Sequence, residues 1–131
     1  MKKLMASLVF GFTLIVGGCA QDQVLVHTTD EVAEMEPAQK VQAVIDNNNA
    51  MIYAAAAALD SSYEDGLVTR AQGQAIFDKL QAAHSLNKDA KNKLIAGEIL
   101  LAGDRAALVK QIVTAITSEL AKQVAEQENA Q

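Results

Sequence analysis

Few side chains in this chain of 131 residues carry reactive chemistry, and they are thinly spread. There is one cysteine, Cys19, two histidines, His27 and His84, and one compact acidic group, Asp60, Glu64 and Asp65, running up to Gly66. The segment Asp65-Gly66-Leu67-Val68-Thr69-Arg70-Ala71-Gln72 has the outline of the second half of a calcium loop. Such a loop needs carboxylates at its first positions and a bidentate Glu at its twelfth. Aligned on Gly66, those positions hold Ser61, Tyr63 and Gln72, so the segment reads as a capped turn and not as a metal site. His27 and His84 lie far apart, without the His or Cys spacing of a zinc site. A carboxylate pair near one turn would suit glycoside hydrolysis. Alanine-rich helices, however, offer little cleft to exclude water, so the group reads as the solvated end of a helix. No Gly-x-Ser-x-Gly elbow and no glycine-rich phosphate loop is present. The reading is non-enzymatic, with no metal and no cofactor.

Cys19 is different, because of what precedes it. Lys2 and Lys3 are followed by an apolar run, Leu4–Val16, then Gly17-Gly18-Cys19. The run is long enough to engage a translocation channel and too short to span a bilayer, which takes about 20 apolar residues. A cleaved leader of the ordinary kind would leave Cys19 as a lone exported thiol without a partner cysteine. Val16-Gly17-Gly18-Cys19 resembles the lipobox of bacterial lipoproteins: a branched aliphatic, two small residues and the obligatory Cys. The resemblance covers the leader and implies cleavage before Cys19, a diacylglycerol on its sulfur, and acylation of the new amine, for instance with palmitate. Ala20 and Gln21 follow, with no Asp directly after the cysteine. In a source with two membranes the family's sorting rule then favours the outer membrane, on its periplasmic or surface face. Two or three acyl chains hold almost permanently where one holds marginally, at about 0.8 kcal/mol per buried methylene.

Once residues 1–18 are removed, nine basic residues face sixteen acidic ones, a net charge of −7. Such a balance excludes nucleic acid as a partner, since phosphates are held by clustered Lys and Arg. It also excludes a polybasic grip on lipid. Half the residues are apolar but only 4% are aromatic. Alanine has the best helix propensity and buries little area, so close-packed helices around a thin core are expected.

The elements follow from spacing. Residues 19–36 form the lipidated N-terminus and an acidic tether, with Asp22, Asp30, Glu31, Glu34 and Glu36 unopposed by any Lys or Arg. Val24-Leu25-Val26 is its apolar patch. Thr28 and Glu31 stand at capping-box spacing for a short helix through Glu36, and a flexible or partly helical leash is the default for such a segment. The helical domain spans 37–127. A first helix runs from Pro37 to about Tyr63 on the stripe Val41, Val44, Ile45, Asn48, Ile52, Ala55, Leu59, Tyr63. Asn48 interrupts that stripe as a polar residue that sets register. Gly66 ends the helix and Thr69, with Gln72, caps the next. The second helix carries Ile76, Leu80, Ala83, Asn87, Ala90, Leu94, Gly97 and Leu101 as one seam through Ala102, with a possible break at Ser85–Lys88. Gly103-Asp104 reads as a stop and restart. A last helix, Arg105–Gln127, presents Leu108, Val109, Ile112, Val113, Ile116, Leu120 and Val124 as a broad aliphatic face, and 128–131 is a frayed tail.

The expected fold is all-α, an antiparallel three-helix bundle or an extended helical hairpin. Acids dominate the first helix (Asp46, Asp60, Glu64, Asp65) and lysines the middle of the second (Lys79, Lys88, Lys91, Lys93). These fields suit pairing within the chain or with a second copy. The expected function is that of a membrane-anchored helical lipoprotein working through contact with an envelope protein or as a homo-oligomer. A binding module with a slot between the helices, formed by the Ala54–Ala58 run and Asn48, is the second reading. The short alanine-rich body with its Asp-Gly-x-Val-Thr and Ala-Gly-Asp turns also resembles small phage and prophage lysis or exclusion lipoproteins, which would imply that setting.

Overall fold

The computed structural model describes residues 26–130. The expected leader, 1–18, with Cys19 and the first part of the expected tether, lies outside the described residues. Four helices follow in order: α1 (Thr29–Ala33), α2 (Pro37–Glu64), α3 (Arg70–Ile95) and α4 (Ile99–Ala130). Each of the three long helices packs against the other two, and α1 lies on α2. The short connections make neighbours antiparallel, so the fold is an all-α three-helix bundle with a short helix on its flank.

The bundle has two distinct ends. At one, α2 passes to α3 through a tight turn. Gly66, at φ +75°, takes the left-handed position after the helix. The Gly66 N–H donates to Tyr63 O at 3.1 Å and the Leu67 N–H to Ser62 O at 2.9 Å, the paired bonds of a Schellman ending. Thr69 then caps α3: its hydroxyl accepts from the Gln72 N–H and the Gln72 side chain accepts from the Thr69 N–H, the capping box expected from sequence. Leu67 and Val68, between the two caps, are fully buried and close that end of the core.

At the other end the same backbone device sits where a continuous helix was expected. Gly97, at φ +83°, ends α3 at Ile95, with Gly97 N–H to Leu94 O and Glu98 N–H to Lys93 O. The second helix therefore stops short of Ala102. Gly103-Asp104, expected to be a stop, lies inside α4, where a Cβ on Gly103 would stand 3.4 Å from Val41 Cγ2. That glycine serves close approach of α4 to α2, and Gly97 makes the turn. Ser85–Lys88 shows no break: α3 runs straight through, because the Asn87 amide is spent across the bundle and does not cap its own backbone. The last helix begins at Ile99 and continues past Gln127 to Ala130.

The core comes in two unequal parts. The larger runs from Met51 and Ile52 to the turn end and includes Leu59, Leu67, Ile76, Leu80, Val113 and Leu120. The smaller consists of Ile45, Ala90 and Ala106, bordered by Val41, Val44 and Leu94. Between them lies a polar layer. The Asn48 amide donates to Asn87 Oδ1 (3.0 Å) and to Ala106 O (2.9 Å), and the Asn87 amide to Ile45 O (3.1 Å) and Asn49 Oδ1 (2.9 Å). Both side chains are fully buried and tie all three long helices at one level. Asn48 is thus the register residue that the sequence suggested.

The described part of the tether does not hang free. Thr28 Oγ1 accepts from the Glu31 N–H to start α1, which ends at Ala33. The Asn47 side chain then clasps the backbone of His27 in both directions, accepting from its N–H at 2.8 Å and donating to its carbonyl at 3.0 Å. The chain from 27 to 36 is therefore folded back along the first third of α2.

Candidate interaction site

The described residues include three aromatics, Tyr53, Tyr63 and Phe77, and none of them is in the core. All three are exposed, and all three border one groove between α2 and α3. On α2 the positions 53, 56, 60 and 63 recur at three and four residues. On α3 the positions 70, 74, 77, 81 and 84 do the same, so the two rows face each other across the helix pair. Ile52 and Leu80 floor a hollow of about 420 Å³ walled by Tyr53, Phe77, Gln81 and His84. Phe77 also borders a second hollow of about 230 Å³, with Leu59, Asp60, Tyr63, Arg70 and Gly73. Ala56 and Gly73 keep the groove open, since neither sends bulk into it. The Tyr53 and His84 rings stand 6.4 Å apart between centroids, tilted by 56°.

The sequence put Tyr63 on the core stripe; the structure leaves it half exposed and buries Ser62 instead. Leu67 and Val68 already fill that end of the core. The small Ser62 fits beneath them, with its hydroxyl donating to Ala58 O at 2.7 Å. Of the slot expected at the alanine run and Asn48, only the alanine side is open. Asn48 is sealed in the seam.

The other singled-out residues are dispersed. Asp60, Glu64 and Asp65 are exposed, with Asp60 on the rim of the groove. His27 lies against α2, its Nε2 3.4 Å from Asp46 Oδ2, while His84 is on α3. Cys19 lies outside the described residues. Among the described residues no three His, Cys, Asp or Glu side chains come together in a metal-binding geometry. Of the lysines of α3, Lys79 meets Glu119 of α4 at 2.7 Å and Lys93 stands 3.7 Å from Glu98 in the turn, while the acid Asp89 of α3 meets Arg105 of α4 at 3.0 Å.

A second unpartnered apolar feature sits at the α3–α4 turn. Ile95 is 75% exposed and Leu100 86%, and Ile99 and Leu101 are also exposed. Leu108 is exposed one heptad beyond Leu101 on α4, so part of the broad aliphatic face of that helix stays outside the bundle. Among the described residues no helix is long and apolar enough to cross a membrane. No protein family matches this chain, and neither a curated protein nor a solved structure matches it.

Proposed function

We propose that the chain is a non-enzymatic lipoprotein of the bacterial envelope, held at a bilayer through acylated Cys19, that receives a segment of a partner protein in the groove between α2 and α3. The observation that supports the groove is the placement of the aromatics. A bundle starved of large side chains leaves Tyr53, Tyr63 and Phe77 outside its core and gathers them on one face. Tyrosine and other aromatics supply large contact area at low entropic cost and concentrate at protein interfaces. The polar rim, Asp60, Arg70, Gln74 and Gln81, would fix the orientation of that segment. The volume is also that of a small-molecule site. A groove with helices on two sides only would leave much of a small ligand in water, so a macromolecular segment is the better occupant.

The anchor rests on the leader and Cys19. Cys19→Ser is expected to move the exported protein from the detergent phase to the aqueous phase on phase separation; an unchanged distribution would refute lipidation. For the groove, a photo-crosslinker at position 53 of the anchored protein is expected to give a discrete adduct. The adduct should be absent from the exposed Lys110 position on α4 and lost on Phe77→Ala. Equal adducts at both positions would refute the groove, and an adduct of twice the chain's mass would identify a second copy as the partner.

A further inference from the structure

The two turns of the bundle share a backbone motif and treat their apolar residues in opposite ways. After Gly66, Leu67 and Val68 fold inward and are buried. After Gly97, Ile99, Leu100 and Leu101 remain outside, beside the exposed Ile95 at the end of α3. The buried cluster at that end is Ile45, Ala90 and Ala106, bordered by Val41, Val44 and Leu94, and these four tip residues are not part of it.

This aliphatic tip is at the end from which the tether reaches the bundle. His27 is clasped at Asn47, ten residues along α2 from Pro37, or about 15 Å at 1.5 Å per residue. The opposite end of α2, Glu64, is about 26 Å from the clasp by the same rise. The eight residues from Cys19 to Val26 span at most about 29 Å when fully drawn out. An anchor at Cys19 therefore reaches the plane of the tip with slack to spare, and the turn end only when the segment is drawn out almost in full. We infer that Ile95, Ile99, Leu100 and Leu101 form a second contact with the same leaflet, dipping into its hydrocarbon boundary so that the bundle stands on the membrane with its α2–α3 turn pointing away.

The inference rests on the lipoprotein reading and adds an orientation to it. Four aliphatic side chains on one turn are too few for a stable protein interface, which needs about 800 Å² from each partner. They suit a lipid boundary, where an apolar tip is drawn in to a depth of about 5–10 Å. Charge does not draw this end to a membrane, since Glu34, Glu36, Glu98 and Asp104 outnumber Lys40, Lys91 and Lys93, and Lys93 stands 3.7 Å from Glu98. The contact is thus with acyl chains and is expected in neutral and anionic bilayers alike.

The chain has no tryptophan, so one introduced residue reports on its own surroundings. Leu100→Trp and, as a control in the groove, Tyr53→Trp are made in the full chain, exported, and reconstituted into phosphatidylcholine vesicles with brominated acyl chains. Both sites are exposed and circular dichroism verifies the fold. The L100W emission is expected to shift to the blue and to be quenched by bromine at least threefold more than that of Y53W. Intact mass is read on the same samples. An acylated protein whose L100W emission is unquenched overturns the tip contact while leaving the anchor standing. A blue shift without quenching, together with a doubled sedimenting mass in detergent, assigns the tip to a second copy and overturns it as well. A product without fatty acid overturns the lipoprotein reading and the orientation with it.

Discussion

Asn48 and Asn87 carry the specificity of the fold. Each is completely enclosed, and each spends its amide on a partner helix. Asn48→Ala would strand Asn87 Oδ1 in the interior, and an unsatisfied buried group costs about 1–3 kcal/mol. A loss of about that size is expected from urea unfolding. Asn48→Leu together with Asn87→Leu should cost much less than the two single changes combined, because both ends of the bond leave at once. If the double variant were as unstable as that sum, the pair would not be acting as a unit. Asn48 was legible in the sequence because a polar residue on an apolar stripe has few other uses. The exposed Tyr63 was not, since its spacing is that of a core residue and only the arrival of Leu67 and Val68 from outside the helix displaces it.

Among the elements, the boundaries of α2 and the start of α3 could be read from residues alone: Pro37, Gly66, Thr69 and Gln72 each act within a few residues of their own position. The α3–α4 boundary could not. Two glycines, Gly97 and Gly103, compete for it, and the heptad spacing of Gly97 with Leu94 and Leu101 hides its role. Three-dimensional context decides: Gly97 takes a positive φ with open space around it, and Gly103 faces Val41 across a helix contact. Alanine substitutions should separate them by sign. Gly97→Ala meets no atom within 4 Å but forces alanine into a left-handed conformation, at a cost of about 1–2 kcal/mol. Gly103→Ala places its methyl at the near edge of ordinary contact and gains helix propensity, so stability should hold or rise by up to about 1 kcal/mol. Thermal unfolding of the pair checks the boundary; destabilisation by G103A alone would move it back to Gly103.

Over the whole molecule, stability is spread unevenly along the bundle axis. The large apolar cluster and the closed turn belong to one end, and a cluster built mostly of alanine to the other. Local opening free energies follow the burial of apolar contacts. Amide hydrogen exchange should therefore be slowest around Ile76, Val113 and Leu120 and faster by at least tenfold around Ala90 and Ala106, with Asn48 marking the border. Uniform protection on both sides of Asn48 would show a single cooperative unit. The overall architecture was readable from helical periodicity, turn residues and the lack of any long strand pattern. The aromatic groove was not, because it arises only when α2 and α3 lie side by side.

The clasp of Asn47 on His27 has a mechanical consequence. A pull arriving through the N-terminal chain loads α2 at Asn47 first, through two side-chain hydrogen bonds, and not the first turn at Pro37. Releasing that clasp and unwinding α1 would pay out residues 27–36, adding up to about 35 Å of line at full stretch, while α2, α3 and α4 stayed intact. Strain would be taken up as extra slack before any of it reached the folded body.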